Sequence, residues 1–263
     1  MGLGIDGLKV LVTASTRGIG RGIAEALLDE GCNVFINGLH EETVRRAVEE
    51  LQASFGGRVA GAKADLRVGD EVVDLVGKAV EFLGGLDALV YVTGPPKAGY
   101  FQELSSDDWE EGINLLVRSA IILARESLPY LKRSRNPSIV FLTSVAVKEP
   151  IPNIALSNTL RIAVHGLMKT LARELGPEGI KVNAVMPGYI MTDRVRYIAE
   201  DRARREGVDP EEVIKGFAGE VPLRRVGQPR EVGYVVAFLL SRYASYVNGA
   251  AIPVDGGLLK SQF

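Results

Sequence analysis

The stretch Thr13-Ala14-Ser15-Thr16-Arg17-Gly18-Ile19-Gly20 carries the first chemistry that the residue types allow. It follows a short apolar run and leads into a helical pattern through Ile23, Ala26 and Leu27 that stops at Gly31. A strand, a glycine-bearing turn and a helix in that order aim backbone N–H groups and the helix N-terminus at a diphosphate. Gly18 and Gly20 would let the chain approach the phosphates where a Cβ would intrude. A merely tight strand–helix turn has the same pattern, so the turn is weighed with the rest of the chain. Other residues able to handle a proton or an oxygen lie in later loops: Lys97, Tyr100, Ser144, Lys148 and Tyr189, with His165 inside a helical pattern. No Asp, Glu or His grouping has metal-ligand spacing, and Cys32, the only cysteine, can form neither an intrachain disulfide nor a thiolate cluster.

Elements that would bring these residues together alternate along the whole chain. Apolar runs at 9–13, 33–37, 59–64, 88–93, 138–143, 181–185 and 250–254 are mostly rich in β-branched residues and predict buried parallel strands. Helical patterns separate them, as where Val44, Ala47, Val48 and Leu51 recur at helical spacing with Glu and Arg between. The expected fold class is α/β, a doubly wound parallel sheet of about seven strands with helices on both faces. No repeat or linker divides the chain, so residues 1–263 are expected to form one domain. One charged segment, 193–222, interrupts the alternation. It breaks at Gly207 and restarts at Asp209-Pro210, predicting two inserted helices over the carboxyl ends of the strands, a lid on the substrate side. With 46% hydrophobic and 24% charged residues and a net charge of −2, the chain has no electrostatic pull toward nucleic acid or anionic membrane. It has no apolar run near the roughly 18–20 residues that span a bilayer and no leader-like N-terminus in 1–6, so a cytoplasmic protein is expected.

Further matches in order make the sequence similar to the short-chain dehydrogenase/reductase family, 3-oxoacyl-carrier-protein reductase branch, over essentially its full length. The glycine turn resembles that family's TGxxxGxG loop, with Ala14 at the first glycine; alanine is accommodated there only if the position does not need positive φ. Asp65-Leu66, Asp87, Asn114, Pro187-Gly188-Tyr189-Ile190-Met191-Thr192, Gly227-Gln228-Pro229 and Val254-Asp255-Gly256-Gly257 match further family positions. The resemblance implies a Rossmann-type fold. It implies a nicotinamide dinucleotide held by Thr13, Ser15, Arg17, Gly18, Ile19, Gly20, Asp65, Leu66, Gly94, Pro187, Gly188, Ile190 and Thr192. Members that use NAD place an acid at the end of the second strand, where this chain has Asn37-Gly38-Leu39-His40; Arg17 is a cation suited to a 2′-phosphate. NADP is therefore favoured over NAD. Family members are commonly homotetramers or dimers built through the helices around Asn114 and Arg161, and a homo-oligomer is expected. The stripe Ile113, Leu116, Val117, Ala120, Ile121 and Ala124 would suit a core or such an interface.

The resemblance fails where protons are handled. The family's chemistry uses a serine, a tyrosine thirteen residues later and a lysine four beyond it, supported by the asparagine at 114. Ser144 fits the serine, but Ser157 and Arg161 stand in the other two places. A phenol with a pKa near about 10 is a usable acid beside a cation, whereas a serine hydroxyl is not, and arginine does not give up its proton. The strand end matching NNAG reads Tyr91-Val92-Thr93-Gly94 and keeps only the glycine. The expected function is an NAD(P)-dependent oxidoreductase acting on a small carbonyl or secondary alcohol through an atypical proton-handling site built on Ser144, Ser157, Arg161 and Asn114. Two alternatives stand beside it: a non-catalytic dinucleotide-binding sensor or partner subunit, and a hydride-independent lyase or dehalogenase-like enzyme.

Overall fold

The computed structural model describes residues 2–261; the side chains of Arg194, Asp201, Arg202, Arg205 and Glu206, part of the charged segment singled out above, lie outside the described residues, as does Met1. Seven strands form one parallel sheet: β1 (Lys9–Val12), β2 (Asn33–Gly38), β3 (Val59–Lys63), β4 (Ala88–Tyr91), β5 (Ser138–Leu142), β6 (Lys181–Pro187) and β7 (Ala251–Val254), in the order β3-β2-β1-β4-β5-β6-β7. Each apolar run yields a strand, and the runs do not alternate with polar residues because both faces of the sheet are covered. Val10 and Val12 enter a core with Ile23, Leu27, Val232 and Val236, while Leu11 between them enters a second core with Leu75, Val76, Leu123 and Met168. The first core lies under α1 (Gly18–Asp29), α2 (Glu41–Phe55) and α9 (Pro229–Leu240). The second lies under α3 (Gly69–Leu83), α5 (Ser119–Leu131) and α6 (Ala155–Glu174).

Because β1 has β2 on one side and β4 on the other, the chain leaves β1 in opposite directions, and a crevice opens at the carboxyl ends of these two strands. Helix α1 is fixed beside it by unusually close packing on α9. A Cβ on Gly22 would come within 2.5 Å of Pro229 Cβ, and one on Gly233 within 2.6 Å of the Gly22 carbonyl oxygen. Only glycine permits that approach.

The helix α4 (Ser106–Ile113) is started by a reciprocal cap in which Ser105 Oγ accepts from Asp108 N and the Asp108 carboxylate accepts from Ser105 N. It runs into a π-helical turn at Asn114–Arg118 before α5 begins. The charged segment forms α7 (Asp193–Glu206) and α8 (Pro210–Glu220). Gly207 ends α7 in the left-handed conformation, and Asp209 caps α8 through Glu211 N, with Pro210 in its first turn. These helices carry a small core of their own, Ala199, Ala203, Val213 and Phe217, against Tyr189 and Met191. The stripe on α4 and α5 is divided: Leu116, Ala120 and Ala124 are buried, whereas Ile113 and Ile121 are 43% and 44% exposed. Among the described residues no helix is long and apolar enough to cross a membrane.

Candidate active site

The glycine turn is held by side chains that do not themselves face the crevice. Thr13 Oγ1 donates to the Val92 carbonyl at 2.5 Å and accepts from Val92 N at 2.8 Å, tying the end of β1 to that of β4. Ser15 Oγ donates to Val12 O at 2.6 Å and accepts from Asn37 N at 3.1 Å. Both residues are fully buried, and their N–H groups are spent on Val90 O and Asn37 O, so they shape the turn and do not themselves face a ligand. Asn37, read from sequence only as a missing acid, clamps three segments: its Oδ1 accepts from Ala14 N at 3.1 Å, and its Nδ2 donates to Ala64 O at 3.1 Å and more weakly to Gly38 O and Ala62 O. Its burial, invisible in the string Asn37-Gly38-Leu39-His40, is what reveals this role.

The expectation for Ala14 is overturned. Its φ is +43°, in the left-handed region, which costs a non-glycine residue about 1–2 kcal/mol. The half-buried hydrogen bond from its N–H to Asn37 Oδ1 and packing against both cores hold it there. The two glycines have separate duties. Gly18 has φ +59°, and a Cβ on it would point at the Thr192 side chain 3.6 Å away, so the turn and Thr192 flank one gap. A Cβ on Gly20 would instead lie 2.3 Å from Ala14 O, so the missing side chain at this position is what lets the helix start pack on the turn. Arg17 takes the N-cap position of α1 without capping it, and its side chain is 82% exposed, 3.9 Å from Asp193 Oδ2. No acidic residue occupies the first turn of α1. Its first backbone N–H groups therefore have no side-chain acceptor, as at the start of α6, whereas α4, α8 and α9 supply their own.

The remaining dinucleotide positions surround that gap unequally. Gly94 has open space where a Cβ would be. Pro187 is buried at the end of β6, and Gly188 passes so close to Asp255 that a Cβ would meet its Cβ at 2.7 Å. Ile190 is buried in a short ladder with Gly227. Leu66 is buried. Asp65 is already engaged: Arg67 grips its carboxylate through Nε and Nη2, at 2.9 Å and 2.7 Å, and reaches Glu111 through Nη1 at 2.6 Å. That fork holds the Asp65 carboxyl below its ordinary range.

On the proton side, Ser144 follows β5, and its Oγ accepts from Ala146 N at 3.1 Å. Ser157 and Arg161 are one turn apart on α6 and bonded to each other, Arg161 Nε donating to Ser157 Oγ at 3.0 Å. Arg161 Nη1 donates to the carbonyls of Leu142 and Thr143 at 3.1 Å and 3.3 Å, which turns the guanidinium in beneath the end of β5. Burial pushes its pKa down, with Tyr91 opposing; arginine starts so high that it stays protonated. Ser157 is 8% exposed. Asn114 begins the π-helical turn, and Tyr91 explains that turn: its fully buried hydroxyl contacts Leu116 O at 2.7 Å, Leu115 O at 3.2 Å and Ser119 Oγ at 2.9 Å. Burial raises the Tyr91 phenol well above its ordinary value, so Tyr91 is not the missing acid.

Other proton candidates are engaged or remote. Lys97 is bound to Asp108 at 2.8 Å, and Tyr189 stacks on Phe217 and contacts Glu220. Tyr100 is exposed in a short turn. His165 is half-buried, its pKa lowered by burial and then by Lys169 and Lys148. Sequence reasoning missed Asn158, next to Ser157, which accepts from Ile151 N at 3.2 Å and donates to Ile151 O at 2.8 Å. The loop from Lys148 to Ile154 is further pinned to the loop after β4, with Gly99 N donating to Asn153 O at 2.9 Å. Among the described residues no three metal-ligating side chains come together.

A family model described as enoyl-(acyl carrier protein) reductase matches residues 13–259. A 3-oxoacyl-[acyl-carrier-protein] reductase of Aquifex aeolicus is 32% identical over 258 residues, covering 98% of this chain and all of that protein. The crystal structure of L-sorbose reductase from Gluconobacter frateurii, complexed with NADPH and L-sorbose, superposes with a TM-score of 0.95 at 30% identity, covering 99% of this chain and 100% of that one. A Pseudomonas aeruginosa short-chain oxidoreductase described as containing an atypical catalytic centre superposes with a TM-score of 0.88 at 29% identity over 96% of this chain and 97% of that one.

Proposed function

The chain belongs to the short-chain dehydrogenase/reductase family, and from that premise we propose that it reduces a small carbonyl compound with NADP, without a side-chain acid. The observation that carries the reading is α1 opening at Gly18, beside the β1/β4 crevice and across a gap from Thr192, with its N–H groups uncapped. The residues fit a dinucleotide there: backbone N–H groups of the glycine turn for the diphosphate, and Gly94, Pro187, Gly188 and Thr192 around the nicotinamide end. Such a cofactor would supply the hydride. NADP is favoured because the end of β2 offers no acid and the exposed Arg17 has only a long contact to Asp193, which is cheaply exchanged for a phosphate. The sorbose reductase and an actinorhodin polyketide ketoreductase, 31% identical, are both described with NADPH.

The chain's own part in the reaction follows from its hydrogen bonds. Ser144 Oγ already accepts from Ala146 N and Ser157 Oγ from Arg161 Nε, so each hydroxyl has its proton left to donate to a substrate oxygen. As that oxygen gains charge, these donors stabilise it, and the proton that completes the alcohol comes from water. Helices α7 and α8 act as the lid of this site, and the exposed Ile113 and Ile121, with Ile162 on α6, make the face through which copies of the chain assemble.

Calorimetric titration with NADPH and NADH, with turnover measured on a carbonyl and alcohol panel in the same samples, tests the reading. Binding of NADPH at least tenfold tighter than NADH, together with oxidation of NADPH by a carbonyl, is expected. Absence of binding by either dinucleotide overturns it. A second reading, a sensor or partner subunit that binds dinucleotide without turnover, is favoured by the Arg161–Ser157 bond and the absence of a usable acid at Ser157; binding without turnover on every substrate would select it.

A further inference from the structure

We propose that Glu149 holds the segment after β7 across the substrate end of the crevice, and that this strap limits the length of the carbonyl substrate. The proposal rests on the reductase reading for what the crevice takes, and on backbone geometry for the strap. Strand β7 lies beside β6, and β6 beside β5. Neighbouring strands are about 4.8 Å apart, so a segment that leaves β7 and reaches the loop after β5 must cross the end of β6. Residues 255–261 make that crossing. Asp255 starts it, its carboxylate accepting from Gly257 N and Leu259 N at 2.9 Å each. A Cβ on Gly188 would meet Leu258 Cδ2 at 3.4 Å, which puts Leu258 on the Pro187-Gly188 turn, at the nicotinamide end of the proposed cofactor site. The far end is gripped by Glu149, whose Oε1 accepts from Lys260 N at 2.8 Å and from Ser261 N at 2.6 Å. Two successive N–H groups converging on one carboxylate oxygen are charge-assisted donors.

Both ends of the strap are tied to the walls of the substrate site. Glu149 stands one turn past Ser144, its N–H donating to Val145 O at 3.2 Å. Two residues further on, Ile151 is bonded through both its N–H and its carbonyl to Asn158, next to Ser157 on α6. At the start of the strap, Leu223 N donates to Gly256 O at 3.2 Å. A Cβ on Gly256 would come within 2.6 Å of Val221 Cγ1, so the strap begins against the residues that end α8. The Ser144 loop, the strap and the end of α8 then border one mouth. Leu258 and Leu259 are half-buried, whereas Lys260 and Ser261 are exposed, so apolar burial does not hold the far end. Glu149 touches no reacting atom. It is a positioning residue that acts through the strap.

The test uses the purified full chain, with ethyl acetoacetate as the short probe and ethyl 3-oxooctanoate as the long one. Amide exchange at Lys260 and Ser261 is followed by NMR, beside calorimetric binding of both esters and their reduction with NADPH. Glu149→Ala should speed exchange at both amides about tenfold or more, the worth of a hydrogen bond to a charged group. It should also raise affinity and kcat/KM for the long ester at least tenfold relative to the short one, since each newly buried methylene is worth about fourfold. The kcat for the short ester and the affinity for NADPH should stay within threefold. Glu149→Gln keeps an acceptor in place without the charge and should fall between. A chain ending at Gly257 should match Glu149→Ala, which separates loss of the strap from any change in the loop that carries Glu149. Unchanged exchange in Glu149→Ala overturns the hold by Glu149. Faster exchange with an unchanged long-to-short ratio overturns the length limit and leaves the reductase reading standing. Reduction of neither ester by any of these proteins overturns the reductase reading, and calorimetry then decides on the strap: a gain in binding of the long ester supports it, and no gain overturns it.

Discussion

Ser157 and Arg161 are bonded at 3.0 Å, and neither gives up a proton in the range where proteins work. Arg161 is shifted down by burial but from a value too high to matter, and His165 is shifted down too, first by burial and then by two lysines, so it is already neutral above its ordinary value near about 6.5. The expected outcome is a kcat/KM for carbonyl reduction that is flat between about pH 7 and 9, measured with NADPH at saturation; an inflection there that survives His165→Gln would reveal a side-chain acid and refute the water-proton route. The companion expectation is that Ser157→Tyr with Arg161→Lys raises kcat by about 10²-fold or more, the usual worth of a positioned acid. An unchanged kcat would mean that proton delivery is not limiting. At this scale the sequence displayed the substitutions through their spacing from Ser144 but not their consequences. That Arg161 turns inward to Leu142 and Thr143, and that Asn37 and Asn158 are clamps, depends on which backbone groups the fold leaves unpaired nearby. Residue type alone does not say that.

Elements were far more legible, because burial of both faces of the central strands writes itself into mostly apolar runs, and Gly207, Asp209 and Pro210 mark the break between α7 and α8 directly. What stayed hidden was the fine shape of helix ends. The string Tyr91-Val92-Thr93-Gly94 reads as the loss of supporting asparagines, yet the Tyr91 hydroxyl gathers the carbonyls that the π-helical turn at Asn114–Arg118 displaces. Turns of this kind are frequent at functional sites. Tyr91→Phe takes the side-chain donor from Leu116 O in a fully buried place, while Ser119 Oγ keeps its bond to Leu115 O, and the loss costs about 1–3 kcal/mol. The melting temperature should fall by about 2–4 °C per kcal/mol. Substrate KM should rise as the Asn114 turn relaxes, while NADPH affinity, set by the other wall of the crevice, stays within twofold. A variant as stable as the parent would show that the hydroxyl is not what holds the turn.

Over the whole molecule, the two cores meet at β1, and Cys32 lies in the first of them just ahead of β2, with no exposed surface. Burial, followed by the nearby charges of Glu30 and Asp6, pushes its thiol up to about 12. As thiolate is the reactive form, the native protein at pH 8 should resist alkylation until an opening event frees the residue. The sign of the shift also means that this group favours the folded state below about pH 9, and that its contribution is lost as pH rises from there toward 12. The only cysteine of the chain is thereby a reporter of global opening. A ligand that binds only the folded state stabilises it by about 2.7 kcal/mol at one hundred times its Kd. NADPH at that level should therefore slow the labelling of Cys32 by iodoacetamide about a hundredfold and raise the melting temperature in parallel, with NADH at equal concentration doing less. The measurement needs no substrate and no turnover, so it separates a dinucleotide site from a catalytic one. A labelling rate and a melting temperature that neither dinucleotide moves would mean that the uncapped start of α1 binds no dinucleotide at all.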